Sequence, residues 1–216
     1  MVRTWLLVGL ALGLGGCASE QEQRLRAYNQ EGVALFQRGD YAGARQTFQA
    51  ALDLQPDDAG LIFNLGQCSD RLGDTAAAER LYTDCLKRSP GHAACRHALC
   101  RLLVRAGRTP EAVQLVDDWL RREPNTAGPY AADGWLWLQA GDLLRAQGRL
   151  QQALEHDPHD PTALAQLGQV YEALHRPDRA VALYERALKQ DPAQPDVVQR
   201  LTALRAQGVG LPHPDE

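Results

Sequence analysis

Residues 161–194 read PTALAQLGQVYEALHRPDRAVALYERALKQDPAQ, two apolar stripes of helical period separated by a break. Leu164, Leu167, Gly168 and Tyr171 fall on one face of a first helix. Ala180, Leu183, Tyr184, Ala187 and Leu188 give a second helix a stripe of the same kind. Pro192 follows, and a proline cannot continue the hydrogen-bond ladder of the helix before it. The stretch therefore predicts a helical hairpin, and a hairpin alone has no second layer on which to bury its stripes.

The missing layer comes from repetition. Counting back from Pro192, prolines stand at Pro158, Pro124, Pro90 and Pro56, each 34 residues from the next. Ala44, Ala78, Ala112, Ala146 and Ala180 keep the same interval, as do Leu52, Leu86, Leu120, Leu154 and Leu188. Gly39, Gly73, Gly107 and Gly141 mark the end of each first helix, where glycine takes the left-handed conformation, and His175 holds the fifth place. Gly32, Gly66, Gly134 and Gly168 form another column, with Cys100 in the third repeat. Thr109-Pro110 reads as a helix start, Thr as cap and Pro as first helical residue, and Pro177 serves similarly. Small residues at helix crossings let backbones approach, while Phe48, Tyr82 and Tyr184 fill the wider gaps. Stacked hairpins share one continuous core.

Ala44-x-x-x-Phe48 followed by Pro56, with Leu65-Gly66 in the next repeat, resembles the tetratricopeptide repeat. The resemblance implies an all-α fold, a right-handed α-solenoid of five helix-turn-helix repeats over 25–58, 59–92, 93–126, 127–160 and 161–194. Residues 195–207 are expected as a capping helix with Arg200 and Arg205 on its outer face, and 208–216 as a flexible tail. The third repeat departs most, with Cys100 at a small column and Val116 and Trp119 at the others, so a distorted junction overfilled by Trp119 is expected there.

The other distinctive segment is the N-terminus. Val2-Arg3 precedes an apolar run from Trp5 to Gly16, twelve residues and so too short to span a bilayer, with Cys17 directly after it. Leu14-Gly15-Gly16-Cys17 resembles the lipobox of bacterial lipoproteins. That implies removal of residues 1–16 as a signal peptide and lipidation of Cys17, with 17–24 as a polar tether. Ala18-Ser19 lacks an Asp that retains such proteins at the inner membrane, so the periplasmic face of the outer membrane is the expected location.

Relatives of this layout bind their ligands with inward residues of successive first helices. Here those positions hold Asn29, Val33 and Phe36; Phe63, Gln67 and Asp70; His97, Arg101 and Val104; Ala131, Trp135 and Leu138; and Ala165, Gln169 and Glu172. Arg71 and Arg105 follow closely. Aromatic anchors beside arginine suit an extended peptide or an amphipathic helix, giving an expected groove centred on repeats two to four. Packing of the same residues against neighbouring first helices is the alternative. Members that clamp a chaperone's terminal carboxylate carry Lys and Asn where this chain has Asn29 and Val33, so that activity is not implied.

Cys68, Cys85, Cys95 and Cys100 all lie in repeats two and three. Export permits disulfides, and the helical placement favours Cys85 with Cys95 and Cys68 with Cys100, the other connectivities and four buried free thiols remaining open. His92, Cys95, His97 and Cys100 spread around a helix instead of converging, which disfavours a metal site. His156 to Pro161 has metal-ligand residue types but spans an inter-repeat turn, where Asp and Pro have local roles.

The 216 residues carry 23 Lys+Arg against 27 Asp+Glu, a net charge of −4, which leaves no field for a nucleic-acid partner. No phosphate loop, nucleophile elbow or paired zinc motif occurs, so neither an enzyme nor a cofactor is expected. The sequence reads as a membrane-anchored scaffold or assembly adaptor that captures a peptide or helix of another envelope protein. Resemblance also admits a pilotin-like factor for secretin or type IV pilus assembly, and the Cys/His cluster admits a metal- or redox-active protein.

Overall fold

The computed structural model describes residues 14–209, with side chains from residue 20 onward. Residues 1–13 of the expected signal peptide and residues 210–216 of the expected tail lie outside the described residues, as does the side chain of Cys17. The described residues are all-α: α1 Leu14–Gln37, α2 Tyr41–Leu54, α3 Ala59–Arg71, α4 Thr75–Arg88, α5 Ala93–Arg105, α6 Thr109–Arg122, α7 Ala127–Gln139, α8 Leu143–His156, α9 Pro161–Ala173, α10 Pro177–Gln190 and α11 Pro195–Ala206. None of these helices is long and apolar enough to cross a membrane.

The punctuation acts locally, as its chemistry requires. Gly39, Gly73, Gly107 and Gly141 have φ between 76° and 84°, and His175 adopts 56° in the fifth turn. Asp40, Asp74 and Asp142 follow those glycines and accept hydrogen bonds from the N–H of Gly43, Ala77 and Arg145, which caps α2, α4 and α8. In the third repeat the cap is not Thr109. The helix already includes it, and Arg108 stands at the cap without a side-chain cap bond, its guanidinium held by Glu111 at 2.6 and 2.7 Å. The segment 17–24, expected as a tether, belongs to α1: its Glu, Gln and Arg are good helix formers, and Glu22 pairs with Arg26 one turn on.

The chain divides into two compact units, one ending at Leu102 and one beginning at Leu103, within α5. In the N-terminal unit, Ala44, Phe48 and Ala51 of α2 meet Leu61, Leu65 and Cys68 of α3, with Leu25, Tyr28, Leu35 and Phe36 of α1 packed against them. A second cluster joins Ile62, Cys85 and Cys95, with Phe63 against it. In the C-terminal unit one core runs through α7 to α11, from Ala131 and Leu150 through Leu164, Val170 and Tyr184 to Leu201 and Leu204. Each such large side chain withdrawn from water contributes roughly 1.5–3 kcal/mol. The cap helix α11 is also pinned by charge. Arg200 and Arg205, expected on an outer face, reach Glu172 of α9 and Glu185 of α10 at 2.9 and 2.7 Å. Val209, expected in the tail, packs on the same core.

Candidate interaction surfaces

The first-helix positions do not form a uniformly available wall. In the N-terminal unit Asn29, Val33 and Arg101 are exposed, Val33 at 40%. Phe36 meets Tyr41 edge-on at 5.1 Å, and Arg71 lies over both rings while bonding the Tyr41 hydroxyl at 2.6 Å. Phe63, expected as a ligand anchor, contacts the Tyr82 and His92 rings at 6.1 and 5.4 Å beside the Cys85–Cys95 cluster. Its own core engages it, because α5 begins close to its ring. Gln67, Asp70 and His97 are half-buried, and Arg105 is exposed at the end of α5.

In the C-terminal unit Trp135 and Gln169 are half-buried, whereas Leu138 packs against the core and Ala131 and Ala165 are buried in it. Glu172 is a tie between helices. It accepts from the Tyr184 hydroxyl of α10 and from Arg200 of α11, and burial together with that carboxylate holds the Tyr184 phenol far above its ordinary range. Trp119 is buried at 2% and donates its indole N–H to Glu123 at 2.9 Å.

The four cysteines divide into a bonded pair and two free thiols. Cys85 and Cys95 are joined, with Cα atoms 6.6 Å apart. Cys68 and Cys100 are free and buried, so the expected second pair is absent; Cys68 turns into the core of α2 and α3 instead. Burial pushes the Cys68 thiol up to about 11 against the opposing charge of Arg45, and the Cys100 thiol up to about 12. Neutral thiols are poor nucleophiles and poor metal ligands. Donor atoms of Cys85, His92 and Cys95 lie within 4.8 Å of one another, a different set from the His92, Cys95, His97 and Cys100 group considered on sequence. In this structure the two sulfurs bond each other, and His92 Nδ1 accepts from the Cys95 N–H at 3.2 Å. The run from His156 is a turn, with Asp157 accepting from His159 N–H and Asp160 capping α9.

The sequence reading missed a charged pair in the fourth repeat. Asp133 occupies the column of Leu65, Leu99 and Leu167, and Arg149 the column of Leu81, Leu115 and Leu183. Their side chains meet at 2.7 Å, with Asp133 only 14% exposed. Desolvation raises the Asp133 carboxyl above its ordinary range; Arg149 and a Trp137 hydrogen bond pull it down, while Asp117 pushes it further up. The signal was two polar residues in two apolar columns of one repeat. A raised folded-state pKa means that protonation favours the folded chain, so this residue's contribution to stability is greatest below its unfolded value and diminishes as pH rises through its folded value. Replacing both residues with leucine is expected to be neutral or stabilising by about 1–2 kcal/mol at neutral pH, whereas Arg149→Leu alone costs about 1–2 kcal/mol. Urea unfolding of the three chains checks this. A double variant less stable than Arg149→Leu would contradict it.

Two family models described as tetratricopeptide repeat match the chain, one over 71–132 and 138–207 and the other over 19–59 and 28–93. Among solved structures, a thermophilic tetratricopeptide protein, TTC0263 from Thermus thermophilus, is 24% identical with a TM-score of 0.64, over 86% of this chain and 99% of that one. A chain of the Cut9–Hcn1 hetero-tetramer of APC/C is 18% identical with a TM-score of 0.58, over 82% of this chain and 35% of that one. YrrB, described as having an unusual peptide-binding site, is 18% identical with a TM-score of 0.46, over 90% of this chain and all (100%) of that one. No curated protein matches.

Proposed function

Because the chain belongs to the tetratricopeptide repeat family, we propose that it is a protein-interaction scaffold of the cell envelope, anchored through lipid on Cys17 and capturing a peptide or helix of another envelope protein. The observation that carries this reading is the exposure of Val33 and the half-burial of Trp135 on first helices that meet their core demands with other residues. Asn29 and Val33 of α1 and Arg101 of α5 are exposed positions available to a partner on the N-terminal unit, and Trp135 with Gln169 are half-buried ones on the C-terminal unit. Phe63 and Glu172 are assigned to the fold, since both are committed to neighbours. The anchor rests on Leu14-Gly15-Gly16-Cys17, and the outer membrane's periplasmic face is the proposed location. Assembly of a secretin or pilus is a narrower version of the same reading. Function here is capture and proximity: a tethered binding module raises its partner's local concentration without performing chemistry.

Affinity capture from native membranes tests the two halves separately. Trp135→Ala and a combined Asn29→Ala/Val33→Asp/Arg101→Ala variant are each compared with the unsubstituted chain. A central aromatic anchor is worth about 2 kcal/mol or more, so at least one variant is expected to lose its partner by tenfold or more. Undiminished capture by both would remove the first-helix assignment. Mass measurement of the mature N-terminus, with Cys17→Ser as control, reads the anchor independently.

A further inference from the structure

The leucine columns broken by Asp133 and Arg149 border a cavity. It has a volume of about 580 Å³, within the roughly 300–1,000 Å³ of ligand sites, and lies among α6, α7 and α8. Val113, Leu120, Leu136 and Trp137 give it an apolar lining. Val116 adds to the opening, since the same column carries Phe48, Tyr82 and Tyr184 in three other repeats. The mouth is accessible, with Val113 at 41% exposure.

The charges around this cavity do not cancel. Arg149 is committed to Asp133 at 2.7 Å. Arg145 stacks on Trp137 at 4.4 Å and pairs with Asp142 at 3.3 Å, so that cation is matched too. Asp117 also lines the cavity and is exposed, and its charge adds to the burial that raises the Asp133 carboxyl. Two carboxylates, Asp117 and Asp133, and one guanidinium, that of Arg149, line the cavity beside the indole of Trp137. The complement of such a site is an apolar group with a cation close to it.

We infer that the cavity among α6, α7 and α8 is a docking site for a partner polypeptide, which inserts one aliphatic side chain against Trp137 and sets a neighbouring Lys or Arg beside Asp117. That the occupant is a polypeptide rests on the scaffold reading; the site differs from the surface that carries Trp135, since Trp135 and Trp137 lie on different faces of α7, while Val104 of α5 also lines the cavity. An aliphatic residue supplies the area, and the adjacent cation supplies direction, because a misplaced acidic neighbour would be repelled by Asp117.

The test uses the indole N–H resonances of the chain from Cys17 onward, assigned to its three tryptophans Trp119, Trp135 and Trp137. The probes are capped dipeptides: acetyl-Leu-Arg-amide, acetyl-Leu-Gln-amide and acetyl-Gly-Arg-amide, with heptylguanidinium as a cation lacking a peptide. Acetyl-Leu-Arg-amide is expected to shift Trp137 and not Trp135, and to bind about fivefold more tightly than its Gln counterpart, with the difference shrinking at high salt. Asp117→Asn is expected to equalise the two peptides. Ala140→Trp, an exposed position at the mouth and at the end of α7, is expected to abolish the shift while leaving the Trp119 resonance in place as a check on folding. No Trp137 shift with any peptide, equal binding by Arg and Gln peptides in the unsubstituted chain, or binding that survives Ala140→Trp would each overturn the inference. Heptylguanidinium matching or exceeding acetyl-Leu-Arg-amide would overturn the polypeptide assignment. Trp135→Ala should leave the dipeptide shift unchanged, so failure here and failure of the first-helix surface are read apart.

Discussion

Replacing Trp119 with alanine is expected to cost about 3–5 kcal/mol, although alanine is what the first, fourth and fifth repeats carry in that column at Ala51, Ala153 and Ala187. A consensus argument predicts the opposite sign, because substitutions toward the repeat average usually stabilise. The structure decides between them. Trp119 is 2% exposed and its indole N–H is satisfied by Glu123 at 2.9 Å, so truncation removes a large buried surface and leaves a void that α6 and its neighbours can only partly close. The alanines elsewhere sit in junctions already closed around small residues; Ala51 and Ala153 are both fully buried at 0%. Amide exchange along α6 and α7 is the suitable measurement, since repeat chains unfold in parts and a single global midpoint averages over them. A change within about 0.5 kcal/mol would show that the indole is not packed as described.

The second large effect concerns Gly168. A Cβ built there would lie 2.4 Å from Tyr184 Cε1, closer than any real contact. Tyr184 cannot withdraw, being 0% exposed with its hydroxyl tied to Glu172, so Gly168→Ala is expected to cost about 2–3 kcal/mol despite alanine's better helix propensity. The same relation recurs at Gly32 under Phe48, at 2.6 Å, and Gly66 under Tyr82, also at 2.6 Å. In a Tyr184→Val background the penalty for Gly168→Ala should fall below about 1 kcal/mol, because the obstructing ring is gone. Equal penalties in both backgrounds, read by chemical unfolding, would rule out the steric account. The third repeat has Cys100 and Val116 in these two columns, a larger residue with a smaller one.

Both effects bear on how far a linear reading carries. The interval between Pro56 and Pro192, the glycine column and the small-residue column were legible because each acts through its own backbone or its own helix crossing. Expectations about which side chains remain available for a partner fared differently. Phe63 is at the predicted helix register, yet its ring is taken up by His92 and Tyr82 from outside its own helix. Glu172 likewise has the right spacing for an inner wall and is consumed by Tyr184 and Arg200. Arg108 rather than Thr109 stands at the start of α6 because it follows the left-handed Gly107 and holds the place that Asp40, Asp74 and Asp142 fill in other repeats.

By itself the sequence determined the all-α hairpin repeat, its length and its turns, since periodicity, caps and left-handed glycines are properties of neighbouring residues along one chain. Only the tertiary structure decided that Cys68 faces α2 instead of Cys100, that Asp133 finds Arg149, and that a cavity opens beside them. Those outcomes depend on which side chains from separate helices compete for the same volume and the same charge, and spacing along a single chain carries no record of that competition.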